Sequence, residues 1–362
     1  MSISEVKVVI GASYGDEGKG MVAGCLGEKA AAQNKRILSV LSNGCAQRGH
    51  TYKDEVYHCV GTANFWGGET FYDGTFVLDP ITLWLTNTRV YIHPGCRVIF
   101  PWDVLVNRAR ETARGANRHG SCGMGLFQCV ERSKTNPFYA AFLKDCWALY
   151  NASKIIKANY KKTYEFPEDE LYNLDNFLMA ADWVAENCKI TTLAQLYDDF
   201  DVVIYENGQG LGLSQQNVGA FPYLTPSSTG IDNIVDDIKK LNVPTELYYV
   251  SRAYQTRHGA GPMDKECGKN FINPNIVDTT NQPNEWQGDL RFGLIDKEAM
   301  YERILNDANK LDIDKNINIV YTQLNYTNNR IYTLAGREPI EKPDWAAKIY
   351  GSDKKDFITP IL

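Results

Sequence analysis

The 362-residue sequence contains no run of about 20 residues that is apolar enough to cross a bilayer. Its N-terminus, MSISEVKVVI, has neither the basic start nor the long apolar stretch of a secretory signal peptide. A concentrated basic surface is also not indicated, because the net charge is −6 and the lysines and arginines are spread along the chain. The longest basic cluster, YKKTY, is best explained as a solvated helix face. We therefore expect a soluble cytoplasmic protein that binds neither membranes nor nucleic acid.

Paired cysteines, repeats and linkers are absent as well. None of the nine cysteines forms a C-x-x-C pair, and the spacing of zinc ligands does not occur. An odd number of cysteines in so long a chain is not typical of a disulfide framework, so we expect reduced thiols. Without an internal repeat or a low-complexity linker, the chain is better described as one large domain than as two separate ones.

Short apolar, β-rich runs alternate with segments of helical character. The runs are VKVVI, RILSVLS (36–42), TFVLD (75–79), DVVIYE (201–206), ELYYVS (246–251) and NIVYTQ (318–323). Such runs are typical of strands buried on both faces of a parallel sheet. The helical segments are 19–33, 101–116, 138–162, 175–188 and 234–241. The pattern predicts an α/β fold: a central, mostly parallel sheet flanked by helices, in one domain of residues 1–362 with a helical excursion at 138–200.

The first strand is followed by GASYGDEGKGMVAG (11–24), which has five glycines, one lysine and an adjacent pair of carboxylates. A strand, a glycine-rich turn, a lysine and a helix are the usual means of holding phosphate. The P-loop pattern is not matched strictly, because Gly20 stands where a P-loop has Ser or Thr. A strand–helix turn without a ligand is the alternative. Carboxylates repel phosphate unless a metal lies between them or one carboxylate is a base, so Asp16 and Glu17 favour a catalytic loop.

Seven segments, in chain order, resemble motifs of the adenylosuccinate synthetases, enzymes that join aspartate to the 6-position of a purine nucleotide. YGDEGKG is similar to the family signature WGDEGKGK, and RGHT (48–51) is similar to NAGHT. The others are TFYDGTFVLDPITL, GSCGMG (120–125), YENGQGLGLS (205–214), FPYLTPSSTG (221–230) and YQTRHGAGPM (254–263). Each segment alone is weak, but seven in series are specific. The resemblance implies the fold of that family, with a P-loop-like nucleotide-binding loop.

The resemblance also implies a two-step reaction. Asp16 would remove the N1 proton of a 6-oxopurine, and O6 would then attack the γ-phosphate of a triphosphate. Aspartate's amine would next displace the 6-phosphoryl group, with His50 as general acid and Lys19 and Gln209 at the phosphoryl group. Mg²⁺ would be held by Asp16 and the Gly49 carbonyl. Without the resemblance, His50 would be a turn residue more often than a catalyst, and the turn at Gln209 would need no ligand.

Three groups of binding residues follow from the same resemblance. The triphosphate group is Gly15, Asp16, Glu17, Gly18, Lys19, Gly20, Gly49, His50, Thr51, Gln323 and Asn325. The purine monophosphate group is Asp16, Asn43, Ser121, Cys122, Arg132, Gln209 and Thr225. The aspartate group is Gln287, Gly288 and Arg291. The family takes an arginine near Arg132 from the second subunit, so the resemblance implies a homodimer.

Two segments depart from the family pattern. The arginine run TTGRxRRxGW, which should bind aspartate and approach the ribose, reads NEWQGDLRFGLID (284–296) and keeps one arginine, Arg291. The guanine-reading TKLD reads TQLN (322–325). Asn325 can accept from guanine only in part, and its amide can also face adenine, so ATP or dATP is expected in place of GTP.

These departures resemble the phage-type branch of the family, which joins aspartate to dGMP to make a 2-aminoadenine precursor. If the chain is phage-encoded, its compartment is the host cytoplasm. Retention of Asp16 argues the other way, since many members of that branch lose this aspartate. Two alternatives stay open: an ordinary adenylosuccinate synthetase that uses IMP, and a nucleotide-binding protein without ligase activity.

Overall fold

A computed structural model describes residues 3–278 and 288–339, together with the backbone of strand 357–361. The strands are β1 (Glu5–Gly11), β2 (Ile37–Ser42), β3 (His50–Tyr52), β4 (Glu55–Tyr57), β5 (Glu69–Tyr72), β6 (Val77–Leu78), β7 (Tyr91–Ile92), β8 (Arg97–Val98), β9 (Lys189–Ile190), β10 (Val202–Gly210), β11 (Thr245–Arg252), β12 (Gln255–His258), β13 (Lys265–Cys267), β14 (Leu290–Leu294), β15 (Asn316–Thr322), β16 (Arg330–Thr333), β17 (Gly336–Pro339) and β18 (Phe357–Ile361). The helices are α1 (Lys19–Ala32), α2 (Pro80–Leu85), α3 (Pro101–Arg114), α4 (Leu126–Ser133), α5 (Cys146–Lys161), α6 (Leu174–Asn187), α7 (Val235–Leu241), α8 (Lys269–Ile272) and α9 (Lys297–Ala308). None of the helices within these ranges is long and apolar enough to cross a membrane.

The main sheet has the order β18-β15-β11-β1-β10-β2-β5-β7-β9. Its pairs are parallel except for β18, which runs antiparallel to β15. Strand β1 lies between β10 and β11, and the apolar side chains of all three are buried on both faces of the sheet. The predicted α/β fold with a central parallel sheet is therefore confirmed.

One of the predicted strands is wrong. Only Val77 and Leu78 of the run 75–79 form a strand, and they pair with β8 outside the main sheet. The run stops there because the Asp79 side chain caps helix α2 by accepting from the Ile81 and Thr82 backbone, with Pro80 as the first helical residue. The place beside β2 is taken by β5, whose sequence ETFY did not stand out as an apolar run.

A helical segment separates β7 from β9, the edge strand that pairs with it. It begins with α3 and ends with α6, so helices start well before residue 138. Helix α5 is shorter than predicted because Asp145 caps it through the Ala148 N–H. Its buried residues join a second hydrophobic core with α3 and α6, apart from the core on the main sheet.

Candidate active site

The carboxyl ends of the central strands meet at one edge of the sheet. The loop after β1 holds Asp16, the turn after β2 holds Asn43, and Gln209 is the second-last residue of β10. Strand β11 ends with Arg252 and β15 is followed by Gln323. Ligands of open parallel sheets bind at such an edge, next to the strand where the order reverses. The fold therefore brings most of the predicted catalytic and triphosphate residues together.

Glu17 occupies the centre of the loop after β1. Its side chain is buried, and Oε1 accepts from the backbone N–H of Ser13 at 3.2 Å and of Gly15 at 2.8 Å. Oε2 lies 2.6 Å from Lys19 Nζ. Because these N–H groups already donate to the Glu17 carboxylate, they are not available to bind phosphate. The geometry argues against the predicted direct contact of Glu17 with the triphosphate and favours a role in shaping the loop and orienting Lys19.

Asp16 adopts a left-handed backbone conformation, with φ of 59°. Arg252 stabilises this conformation, because its Nε donates to the Asp16 carbonyl at 2.6 Å while Nη2 binds Asp278 Oδ2 at 2.7 Å. The His258 ring lies beside the Asp16 carboxylate, with Nε2 3.7 Å from Oδ2. Burial raises the pKa of Asp16, and the charges of His258, Arg252 and Lys19 oppose the increase. The arrangement suits a carboxylate that accepts a proton from a bound base.

His50 belongs to a buried cluster with Glu206 and Arg48. Its Nδ1 lies 2.5 Å from Glu206 Oε1, and Arg48 Nη2 lies 2.6 Å from the same oxygen. Burial and the neighbouring Arg48 lower the pKa of His50 to about 4. Burial opposes ionisation of Glu206, but Arg48 and His50 outweigh it and lower the pKa of Glu206 to about 2. Arg48 Nη2 also lies 2.5 Å from His50 Nδ1. In the tautomer whose Nδ1–H donates to Glu206, Nε2 of the neutral ring is an acceptor that an anionic substrate can help to protonate.

Gly20 explains the departure from the P-loop pattern. A Cβ atom there would lie 2.6 Å from His50 Cβ and 3.0 Å from Thr62 Cγ2. The first turn of α1 therefore packs directly against His50, and a Ser or Thr at this position would push His50 out of place. Gly49 is an exposed turn residue before β3, which holds His50 and the partly exposed Thr51.

Asn43 and Gln209 are linked through the backbone of Gly208. Asn43 Nδ2 donates to the Gly208 carbonyl at 2.8 Å, and its Oδ1 accepts from the Gly208 N–H at 3.1 Å. Gln209 has φ of 60°, and its Oε1 lies 3.5 Å from where a Cβ would stand on Gly15. The side-chain amide of Gln209 thus lies next to Gly15 of the loop. Asn43 fixes the position of Gln209 through its two hydrogen bonds to the backbone of Gly208.

The segment after β15 is tied to the same loop. Thr322 Oγ1 donates to the Glu17 carbonyl at 2.5 Å, and its side chain packs against Gly18. Gln323 then turns the chain with φ of 61°, and Asn325 is exposed on the following turn. Gln323 therefore comes directly after a residue that is bound to the loop, and Asn325 follows two residues later.

The predicted monophosphate-binding residues Ser121, Cys122 and Thr225 differ in whether their side chains already have protein partners. Ser121 Oγ donates to Asn107 Oδ1 at 2.9 Å and accepts from the Gly123 N–H at 3.2 Å, so it shapes its own turn. Burial raises the pKa of Cys122 to about 11, which keeps the thiol neutral. Thr225 Oγ1 is buried with no protein partner among the described residues, as expected of a hydroxyl that meets a ligand.

Arg132 is enclosed within its own chain. Its guanidinium pairs with Asp103 at 2.9 Å and donates to the carbonyls of Val98 and Asn136, both at 2.8 Å. The side chain is only 4% exposed. Because these partners hold Arg132 in the interior, the structure argues against the predicted reach into a nucleotide of a second subunit.

The predicted aspartate residues lie on the small β12-β14-β13 sheet or next to it. Arg291, in β14, forms a bidentate pair with Glu266 and donates Nη1 to the carbonyls of Gly259 and Gly261 at 2.9 and 3.0 Å. Gly288 has φ of 72° and lines a cavity together with Arg291. Gln287 lies outside the described residues.

Mg²⁺ fits what Asp16 and Gly49 offer. Mg²⁺ is commonly bound by one or two carboxylates and substrate phosphates instead of a full protein cage. Within the described ranges, no backbone or side-chain group donates a hydrogen bond to the Asp16 carboxylate, and no cluster of three or more metal-binding side chains occurs. The Asp16 carboxylate and the carbonyl of the exposed Gly49 are therefore available as ligands for Mg²⁺. The remaining ligands would come from phosphate and water. A bound Mg²⁺ would neutralise charge on the phosphate oxygens.

Four ionisable residues of the site were missed from the sequence: Arg48, Glu206, Arg252 and His258. Glu206 offered the clearest signal, since a carboxylate at the end of the apolar run DVVIYE must be paired if it is buried. His258 lies in YQTRHGAGPM (254–263), one of the seven family-like segments, and could have been noticed there. The pairing of Arg48 and Arg252 with distant carboxylates has no local sequence signature.

Comparisons with known proteins agree with the motifs. A family model described as adenylosuccinate synthetase matches residues 8–288. Adenylosuccinate synthetases of Acidithiobacillus ferrooxidans and Clostridium perfringens are 27% and 25% identical over 288 and 291 residues. These alignments cover 72% of the chain and 65% of either relative, so the chain spans about 65% of the length of the curated relatives it matches.

Two solved structures have a similar fold. The fully ligated adenylosuccinate synthetase of Plasmodium falciparum gives a TM-score of 0.69 at 18% identity and covers 98% of this chain and 87% of its own. The succinoaminodeoxyadenylate synthetase (PurZ) of cyanophage S-2L gives 0.56 at 16% identity, over 84% and 82%. Since the family model spans well over half of the sequence, the chain belongs to the adenylosuccinate synthetase family.

Proposed function

We propose that the protein is a carbon–nitrogen ligase that joins L-aspartate to the 6-position of a purine nucleoside monophosphate. The observation that carries the proposal is the meeting of Asp16, Lys19, His50 and Gln209 at the carboxyl edge of the sheet, on a chain of this family. A purine carbonyl is a poor electrophile, so the reaction needs a base at N1 and a site that stabilises phosphoryl transfer to O6. The loop after β1 and its neighbours supply groups of both kinds.

Each of these residues has one task in the proposed reaction. Asp16, held by Arg252, accepts the N1 proton. Lys19, oriented by Glu17, meets the charge on the transferred phosphoryl group, and Gln209 donates to one of its oxygens. His50, held by Glu206, stands ready to donate a proton when the substrate's negative charge arrives.

For the acceptor we favour dGMP. Guanine offers N1–H and the 2-amino group as adjacent donors, and a single carboxylate such as Asp16 can accept from both. The arginine run expected near the ribose is reduced to Arg291, which is occupied by Glu266 and two carbonyls, so a 2′-hydroxyl would lack that partner. The cyanophage enzyme of similar fold binds dGMP, with dATP as its energy donor. ATP or dATP is the corresponding donor, because Gln323 and Asn325 replace the lysine and aspartate that read guanine.

IMP is the second candidate acceptor, with the chain acting as an ordinary adenylosuccinate synthetase. Asp16 itself favours it, because a base that needs to meet only N1–H serves hypoxanthine equally well. The curated relatives that match the chain carry that name. A homodimer in the cytoplasm stays a prediction for either acceptor.

The two acceptors are separated by competition. dGMP and IMP at equal concentration are incubated in one tube with ATP, Mg²⁺ and aspartate, and the succinylated products are separated by mass. We expect kcat/KM in the order dGMP, GMP, IMP. A predominant IMP product would reject the dGMP assignment and keep the ligase. Phosphate release that does not depend on aspartate, or no release with any acceptor, would reject the ligase itself.

A further inference from the structure

Asp73 is a buried carboxyl group that the proposed reaction does not use. It lies directly after β5, and its Oδ1 accepts from the Thr75 hydroxyl at 2.6 Å, the Thr75 N–H at 2.7 Å and the Phe76 N–H at 3.0 Å. Among the described residues, Oδ2 has no hydrogen-bond partner. A buried oxygen without a partner costs free energy, so the presence of this side chain in the interior needs an explanation.

The Thr75 hydroxyl connects Asp73 to the turn after β2. A hydroxyl has one hydrogen to donate, and Thr75 donates it to Asp73. The lone pairs of Oγ1 are left to accept, and the backbone N–H of Asn43 donates to them at 3.0 Å. Asp73 therefore sets the orientation in which the hydroxyl meets Asn43. A second bond, from the Val77 N–H to the Gly44 carbonyl at 2.7 Å, joins the same two segments through backbone alone.

Asn43 has a left-handed backbone, with φ of 45°. Residues other than glycine adopt this conformation only rarely, and the surrounding structure has to stabilise it. The Asn43 side chain in turn binds the buried backbone of Gly208 through two hydrogen bonds, at 2.8 and 3.1 Å. Gly208 precedes Gln209, which is also left-handed, with φ of 60°. A series of hydrogen bonds therefore runs from Asp73 to the residue directly before Gln209.

We infer that Asp73 and Thr75 are positioning residues for Gln209. The inference rests on the proposed ligase function, in which Gln209 donates to an oxygen of the transferred phosphoryl group. Such a donor works only where it meets the charge of the transition state, and a misplacement of about 1 Å can lower a rate about 10²-fold. The series of hydrogen bonds holds the backbone that carries Gln209 and leaves the substrates to other residues. Its loss should therefore lower kcat and leave KM almost unchanged.

The test compares Thr75→Val, Thr75→Ser and wild type by steady-state phosphate release with ATP, aspartate and the preferred monophosphate. Valine keeps the shape of threonine and removes the hydroxyl, so kcat should fall roughly 10- to 100-fold in Thr75→Val. KM for the monophosphate and for aspartate should change little. Thr75→Ser keeps the hydroxyl and should recover most of kcat. Normal kcat in Thr75→Val, or a change confined to KM, would refute the inference.

Thr82→Val is the matched control. Thr82 Oγ1 also donates to a buried carboxylate at 2.6 Å, that of Asp79, but this pair caps α2, and none of its hydrogen bonds within the described ranges reaches the turn after β2. Thr82→Val should lower the melting temperature without lowering kcat. An equal fall of kcat in both valine variants would trace the effect to general destabilisation and reject the positioning role. If Thr75→Val does not fold, Thr75→Ala removes the same hydroxyl and takes its place.

A double-variant cycle shows whether Thr75 acts through Gln209. Gln209→Met removes the amide, so the exact position of the backbone behind it should no longer affect kcat. Thr75→Val should therefore cause little further loss in the Gln209→Met background. A further loss as large as the one in the wild-type background would show that Thr75 acts by another route and would contradict the inference.

Hydrogen exchange separates this inference from the proposed function. If wild type forms no succinylated product from dGMP, GMP or IMP, the ligase proposal fails. The positioning role is then tested by residue-resolved amide exchange of the protein without substrates, because the N–H groups of Asn43 and Gly208 both donate within the series. Both amides should exchange faster in Thr75→Val than in wild type and Thr82→Val. Unchanged exchange at Gly208 in Thr75→Val would overturn the inference.

Discussion

Glu206→Gln provides a sharp test of the cluster behind His50. The side chain of Glu206 is fully buried and that of Arg48 is 3% exposed, so neither charge is compensated by solvent. Glutamine keeps the shape and can still accept from the Thr62 N–H, which now donates to Oε2 at 2.9 Å. What the variant removes is the negative charge opposite Arg48. A buried charge left without its partner is strongly destabilising.

The size of the effect follows from the pKa of Glu206. Its displacement from 4.5 to about 2 corresponds to about 3 kcal/mol of stabilisation at pH 7. Because the folded-state pKa lies below the unfolded value, this contribution is complete above pH 4.5 and is lost as the pH falls towards 2. Glu206→Gln should therefore lose about 3 kcal/mol at pH 7, and its deficit against wild type should shrink as the pH is lowered from 5 towards 3.

Urea denaturation measures this deficit, followed by tryptophan fluorescence and far-UV circular dichroism in parallel. The double variant Arg48→Met/Glu206→Gln supplies the control, since it removes both charges and should be more stable than Glu206→Gln alone. A loss below about 1 kcal/mol in Glu206→Gln would contradict the argument. The single variant Arg48→Met completes the comparison. A double variant that loses as much free energy of unfolding as Glu206→Gln and Arg48→Met added together would also contradict the argument.

Three further predictions concern turnover. Asp16→Ala should lower kcat by at least about 10³-fold, because no other group of the loop can take the N1 proton, and near-normal phosphate release in this variant would reject the role. His50→Asn should keep nucleotide affinity, measured by calorimetry, and lose most of kcat; the reverse pattern would make His50 a structural turn residue. ATP should exceed GTP in kcat/KM by roughly 5- to 150-fold, because a hydrogen-bond mismatch with the bound base costs about 1–3 kcal/mol, and equal values would remove Gln323 and Asn325 from the base pocket.

Much of the fold could be predicted because its signals are local. The strands β1, β2, β10, β11 and β15 are continuous apolar runs, and burial on both faces of a sheet requires such runs. The glycine-rich loop and its place before a helix are equally local. β5 was missed because two of its four residues, in the sequence ETFY, are polar, and its position is fixed by pairing with β2 and β7.

The sequence by itself determined which motifs the chain carries and in what order, and therefore its family. Tertiary structure decided which charges face one another. The Glu17 carboxylate accepts from N–H groups of its own loop, and Arg132 pairs with Asp103 inside its chain. Arg291 donates to backbone carbonyls that line the cavity. Motif spacing could not show this, because the partners of a buried charge come from segments far away along the chain. The cost of leaving such a charge unpaired selects those partners only once the chain has folded.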